Sequence, residues 1–161
     1  MKVSDTAGFA AYIGINWADN HHDICEVARG SSQPQHSIIK YRLEDIHHWA
    51  MSLLKCYHGK LIAVACELRK GSLINTLKQY EHSVIFPINP STVAEYRKAF
   101  ADSGSKSDVV DASIQTEILL LHLECLTPLK VEKKDIRILD QLVVYRLQLI
   151  QSSVDIANKI M

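Results

Sequence analysis

Apolar residues in this chain are arranged in three ways, and each arrangement marks a different kind of element. Ala11 to Ala18, AYIGINWA, is apolar on both faces, as a central buried strand is. Asp19-Asn20-His21-His22 carries a turn signal, and Asp23 to Ala28 alternates, so the two segments read as a hairpin. Gly30 to Gln35 is a polar turn, and His36 to Arg42 is a shorter third strand. Between Leu43 and Tyr57 the spacing changes to three and four. Ile46, Trp49, Ala50, Leu53 and Leu54 form one helical stripe. Leu61 to Cys66, LIAVAC, is then uninterrupted, which predicts a fully buried strand with Glu67 at its carboxyl end.

The second half continues with a helix over Gly71 to Tyr80 and a fifth strand over Ser83 to Ile88. A short helix follows over Thr92 to Phe100, then a loop over Ala101 to Lys106. Ser107 to Leu123 reads as a long helix that Ser105 or Ser107 could cap, with Asp108 three positions after Ser105. From Glu132 the chain is expected to be helical to its last residue. Ile136, Val143, Ile150 and Ala157 recur every seven residues, with Leu142, Leu149 and Ile156 beside them, as in a coiled-coil seam. Such a helix ending bare at Met161 suggests a fragment cut inside a longer helix. The expected organisation is a flexible lead-in over 1–10, a domain over 11–126, and the start of a coiled-coil helix over 132–161. A three-strand meander, then helix, buried strand, helix and strand, then helices, is the ribonuclease-H-like order. That is an α/β fold with a mixed five-stranded sheet flanked by helices.

Composition narrows this picture only a little. A length of 161 residues fits one domain, and 47% apolar with 22% charged residues is globular rather than disordered. Eighteen basic residues balance eighteen acidic ones, which excludes a strongly basic nucleic-acid-coating protein and leaves room for a local basic patch. The four cysteines, Cys25, Cys56, Cys66 and Cys125, form no CxxC pair and no zinc spacing. They are expected to be free buried thiols in a reducing cytoplasm. Neither a signal peptide nor a membrane-length apolar run is present, so a cytoplasmic protein without membrane partners is expected.

The candidate chemistry is acidic. Glu67 follows six apolar residues and should sit at the rim of the core, where a carboxylate needs a partner. Asp108 and Asp111 are three apart at the start of a helix and are expected to share a face. Ligands of such folds gather at the carboxyl ends of central strands, where Asn16 also falls. Acids converging there call for a hard divalent cation with oxygen ligands, such as Mg²⁺. Two such ions about 3.5–4 Å apart clamp the attacking and leaving oxygens of a phosphodiester. Taken singly, each acid has a plainer reading. Asp108 favours the helix dipole, Asp111 is a solvated face, and Glu67 pairs with Arg69 or Lys70.

Three stretches carry a resemblance: YIGINWADNHHD, ACELRKGSL, and FPINPSTVAEYRKAFADSGSKSDVVDA. Together they resemble the N-terminal domain of DEDD-motif transposases of insertion-sequence family 110, which includes the Piv DNA invertase. The likeness covers about Tyr12 to Leu123 and extends into the last helix, and its most specific part is Asn89 to Ala112. The resemblance implies a fold similar to the Holliday-junction resolvase RuvC and an acidic tetrad that coordinates Mg²⁺ (or Mn²⁺) and acts on DNA. It also implies a C-terminal domain supplying a serine nucleophile, and a noncoding guide RNA bridging donor and target DNA. The last helix would join the domains or pair protomers into a homo-oligomer. By position Glu67, Asp108 and Asp111 match the second, third and fourth acids.

The first acid does not match. The family has Asp where this chain has Asn16, in GINW rather than GIDW. An amide is neutral and offers one ligand oxygen, so it cannot bridge two cations as a carboxylate can. Asp19, three residues on, should point to the opposite face. Weakened metal binding and little cleavage are therefore expected.

Lys106, two residues before Asp108, would suit a phosphate; a solvent lysine is the plain alternative. Arg97 and Lys98 are a candidate backbone-contacting pair, or simply a solvated helix face. The His21-His22 and His47-His48 doublets point apart and lack ligand spacing, while Trp17 and Trp49 read as core or interface residues. Two other functions remain in view. One is a non-catalytic nucleic-acid-binding module, which Asn16 favours. The other is an actin-like or sugar-kinase-type ATPase, against which stand Trp17 and a turn without glycine.

Overall fold

A computed structural model describes residues 8–18, 20–69, 71–100, 108–130, 138, 142–143 and 145–154. Five strands form one sheet: β1 (Ala11–Trp17), β2 (His21–Ala28), β3 (Gln35–Lys40), β4 (Ile62–Cys66) and β5 (Ser83–Pro87). Their order is β3-β2-β1-β4-β5. The first three are antiparallel neighbours, and β4 and β5 join β1 in parallel. Parallel neighbours need a crossover connection. Helix α1 (Leu43–Cys56) makes it from β3 to β4, and α2 (Ser72–Leu77) makes it from β4 to β5. This mixed sheet with flanking helices is the α/β class expected and is consistent with a ribonuclease-H-like fold.

Side chains alternate along each strand, so the sheet has two faces. One face collects Ala11, Ile13 and Ile15 of β1 with Ile24, Ile62, Val64 and Cys66, packed under Ile46, Ala50 and Leu53 of α1 and Leu73, Ile74 and Leu77 of α2. The opposite face carries Ala63, Ala65 and Phe86 against Ile114, Ile118 and Leu119 of α4 (Asp108–His122). Leu123–Cys125 tightens into a 3-10 turn after α4. Helix α3 (Pro90–Phe100) begins two residues earlier than the sequence pattern suggested. Pro90 suits a first helical position, and Asn89 Oδ1 accepts the Ser91 N–H at 3.1 Å in the capping role.

Three sequence expectations change. β2 begins at His21 rather than Asp23, so the first hairpin turn is shorter than the polar stretch implied, and His22 is a buried strand residue. Only Cys25 and Cys66 are buried thiols, whereas Cys56 and Cys125 are exposed because each stands near the end of its helical segment. Trp17 is exposed, while Trp49 packs partly against the core.

The chain divides into two compact units, Met1–Leu129 and Lys130–Met161. Of the described residues of the second, 138, 142–143 and 145–154 are helical, and Leu142, Val143, Leu149 and Ile150 of the expected seam are exposed. Ile136, Ala157 and Ile156 of that seam lie outside the described residues, as do residues 1–7 of the expected 1–10 lead-in, Asp19, Ser105 and Lys106. Within that lead-in Phe9 is buried and the Ala10 N–H donates to the Leu61 carbonyl. Among the described residues no helix is long and apolar enough to cross a membrane.

Candidate functional site

The site is built where α4 lies across the carboxyl ends of the central strands. Gly14 sets the approach. A Cβ there would lie 2.1 Å from the Ala112 carbonyl oxygen and 2.7 Å from the Thr116 nitrogen, so the helix touches the sheet where only glycine fits. Thr116 Oγ1 stands 2.9 Å from the Cys25 carbonyl and 3.0 Å from the Ala112 carbonyl, tying the helix to β2. Gln115 is fully buried. With its amide turned to donate, its nitrogen reaches the carbonyls of Ile15 at 2.8 Å and Ala65 at 3.1 Å. One side chain thus pins α4 to both β1 and β4.

Asp111 lies one helical turn before Gln115 on the same buried face and is 2% exposed. The two strand residues that Gln115 reaches, Ile15 and Ala65, lie next to the other candidates. Asn16 follows Ile15 on β1, and it is buried. Glu67 follows Cys66, the parallel neighbour of Ile15, so the register carries Asn16 and Glu67 out to adjacent positions. Glu67 is half-buried. Asp108 is different. It stands at the first position of α4 and is exposed, so the two helix acids differ in depth although their spacing is that of one face. Only Asp111 is buried.

Burial of the Asp111 carboxylate demands a counter-charge. Arg97 of α3 provides it. Its Nε donates to Asp111 Oδ1 at 2.7 Å, and a second, shorter bond runs from its Nη2 to the same oxygen. The guanidinium is therefore committed to the acid rather than presented as a solvated face, whereas Lys98 beside it is exposed. Lys106 lies outside the described residues.

A fifth polar side chain belongs to this place and was missed in the sequence. Asp23 is the antiparallel partner of Asn16 across β1 and β2, so the two side chains share a face. Asp23 is 4% exposed, and its Oδ2 has no hydrogen-bond partner. His21 Nε2 lies 3.4 Å from that oxygen, outside hydrogen-bonding geometry, on an imidazole that is 42% exposed and cationic only when protonated. The sequence places Asp23 at the start of the second strand, but nothing in its spacing gives the register that sets it opposite Asn16. Gly14, Gln115 and Thr116 were missed too, because nothing in their spacing separates a helix-docking contact from ordinary core.

Asn16, Asp23, Glu67 and Asp111 offer only oxygen donors, the set that a hard divalent cation takes. The orphaned Asp23 oxygen fits such an ion as well. Among the described residues no three His, Cys, Asp or Glu side chains stand close enough to share a metal in the arrangement seen, in which Arg97 occupies Asp111.

Comparisons with known proteins agree with this architecture. A family model described as a transposase, of the DEDD type of insertion-sequence family 110, matches residues 13–161. A Streptomyces coelicolor protein named as the mini-circle transposase for IS117 is 31% identical over 129 residues, which is 76% of this chain and 30% of that relative. The chain thus spans about a third of the length of the curated relative it matches. With the family model covering nearly the whole sequence, this chain belongs to the DEDD transposases of insertion-sequence family 110.

Proposed function

We propose that this chain is the N-terminal, divalent-metal-dependent domain of an RNA-guided DNA transposase. In this reading residues 11–126 form the catalytic domain, and 132–161 begin a coiled-coil helix that pairs protomers and leads to a C-terminal domain. The observation that carries it is the burial of Asp111 on the face of α4 that Gln115 pins over β1 and β4. That acid is answered by Arg97 in the arrangement seen, and a bound cation would share or take over that role beside the other oxygen donors at the strand ends. Glu67, Asp111 and Asp108 hold Mg²⁺ or Mn²⁺, and Asn16 stands where the family has its first Asp. A bound divalent ion would neutralise charge developing on a DNA phosphate during strand cleavage. Lys98 and Lys106 contact the nucleic-acid backbone, and Arg97 serves as the resident counter-charge of Asp111.

The test is calorimetric titration with Mn²⁺. The Asn16→Asp chain should bind saturably and more tightly than the unaltered chain, and adding Glu67→Gln should weaken it. Equal affinity with and without Asn16→Asp would remove the role given to position 16. Absence of binding in every chain would remove the metal altogether.

Asn16 also favours a second reading, a domain that grips DNA or guide RNA without cutting. Filter binding across a salt series addresses it. Phosphate tracking makes affinity fall steeply with salt, and a flat dependence would exclude both forms of nucleic-acid engagement.

A further inference from the structure

Removing the first acid leaves position 16 with an amide. Its neighbour on the other strand is nevertheless a carboxylate. In antiparallel pairing, residues directly opposite have Cβ atoms about 4.5–5.5 Å apart and project from the same side of the sheet. Asn16 and Asp23 are such a pair. The side is that of α4, because Gly14 of β1 meets Ala112 and Thr116 there, while Ile24 beside Asp23 packs in the opposite layer. Asp23, Asn16 and Glu67 thus follow one another across β2, β1 and the end of β4, beneath the helix that carries Asp111.

Asp23 is unusual on its own terms. A carboxylate with 6% of its side chain exposed and one oxygen without a hydrogen bond is expensive to keep. The imidazole of His21 compensates only when protonated. A cation at this oxygen removes the cost.

We propose that Asp23 is a metal ligand that supplies, from β2, the carboxylate that position 16 lacks on β1. The inference rests on the metal-dependent reading above. Asn16 contributes one amide oxygen, Asp23 the negative charge, and the pair together replaces one acid. The site is then an acidic set redistributed over two strands rather than one that has lost a member.

A double-mutant cycle between positions 16 and 23 tests this. Mn²⁺ affinity is measured by calorimetry on the unaltered chain, Asn16→Asp, Asp23→Asn, and the two together. Circular dichroism of each confirms folding, and both changes are isosteric. Asp23→Asn should cost about tenfold or more in affinity while Asn16 is present, since ligand charge sets affinity at oxygen sites. After Asn16→Asp, the same change should cost less than about threefold. An unchanged affinity on Asp23→Asn overturns the proposal, and so does an equal loss in both backgrounds. If Asn16→Asp binds Mn²⁺ and the unaltered chain does not, Asp23 is no substitute, yet the metal reading survives. If no chain binds, the metal reading fails and the proposal falls with it.

Discussion

The two faces of the sheet are built on different principles. The face under α1 and α2 is filled by branched aliphatics, and its helices rest on side chains. The face under α4 has an apolar part, where Phe86 meets Ile114, Ile118 and Leu119, and a part toward the strand ends where glycine and polar groups let the helix rest on backbone. On the first, Ile13, Ile15 and Ile24 meet Ile46 and Leu73. On the second, Gly14 meets the Ala112 carbonyl, Gln115 reaches two strand carbonyls, and Asp111 is neutralised by Arg97. Aliphatic packing tolerates shape changes that keep volume. Backbone contact and buried charge do not. The first face therefore supplies stability, and the second supplies position.

The strongest challenge to that contrast is Arg97→Leu. Leaving Asp111 buried and unpaired should cost about 3–5 kcal/mol, measured by urea denaturation in the presence of a chelator. Replacing both partners, Arg97→Leu with Asp111→Leu, should recover most of the loss. A single variant as stable as the parent would show that the carboxylate is not the constraint described. Next comes Gly14→Ala, expected to cost about 3 kcal/mol because the methyl meets backbone atoms that cannot rotate away. On the other face, Ile13→Val should cost only about 1 kcal/mol. If the two losses are equal, the faces are not distinct.

A smaller effect is expected from pH. Burial, helped by neighbouring His21 and opposed by Asp23, holds the His22 imidazole below its ordinary value of 6.5, and neither of its ring nitrogens has a hydrogen bond. The unfolded chain therefore takes up this proton more readily than the folded one. Stability attributable to His22 is complete above 6.5 and declines as pH falls below it. His22→Leu should flatten that decline in thermal melts between pH 7 and 5. The mildest test is thiol counting at pH 8. Cys56 and Cys125 should react quickly with a thiol reagent. Cys25 and Cys66 should wait for unfolding, the latter because burial pushes its thiol up to about 12.

The aliphatic face was legible in the sequence, and the positional face was not. LIAVAC announced a buried strand, and the α1 stripe announced its covering helix, because repeated apolar contacts leave a period. Strand order followed from the meander and two crossovers. At the site, Glu67 and Asn16 were placed correctly at strand ends by the same logic. Asp108 and Asp111 were not separated, since a three-residue spacing fixes relative direction and not depth. Arg97 looked like a surface cation because its partner is fourteen residues away in sequence. Asp23 was legible as the first residue of the second strand, but nothing in the pattern set it opposite Asn16. Each miss involves a single long-range contact, and such a contact has no periodicity to reveal it.

The close approach at Gly14 has a consequence for how the domain could diversify. Contact between two main chains has no rotamers, so the depth of α4 over the strands works as a fixed gauge, independent of which side chains fill the layer around it. Substitutions at Ile114 or Ile118 can then drift by a methyl group while Asp111 keeps its height above the strand ends. Side chains at Asn16 and Asp23 likewise face a helix whose height does not depend on which of them is acidic.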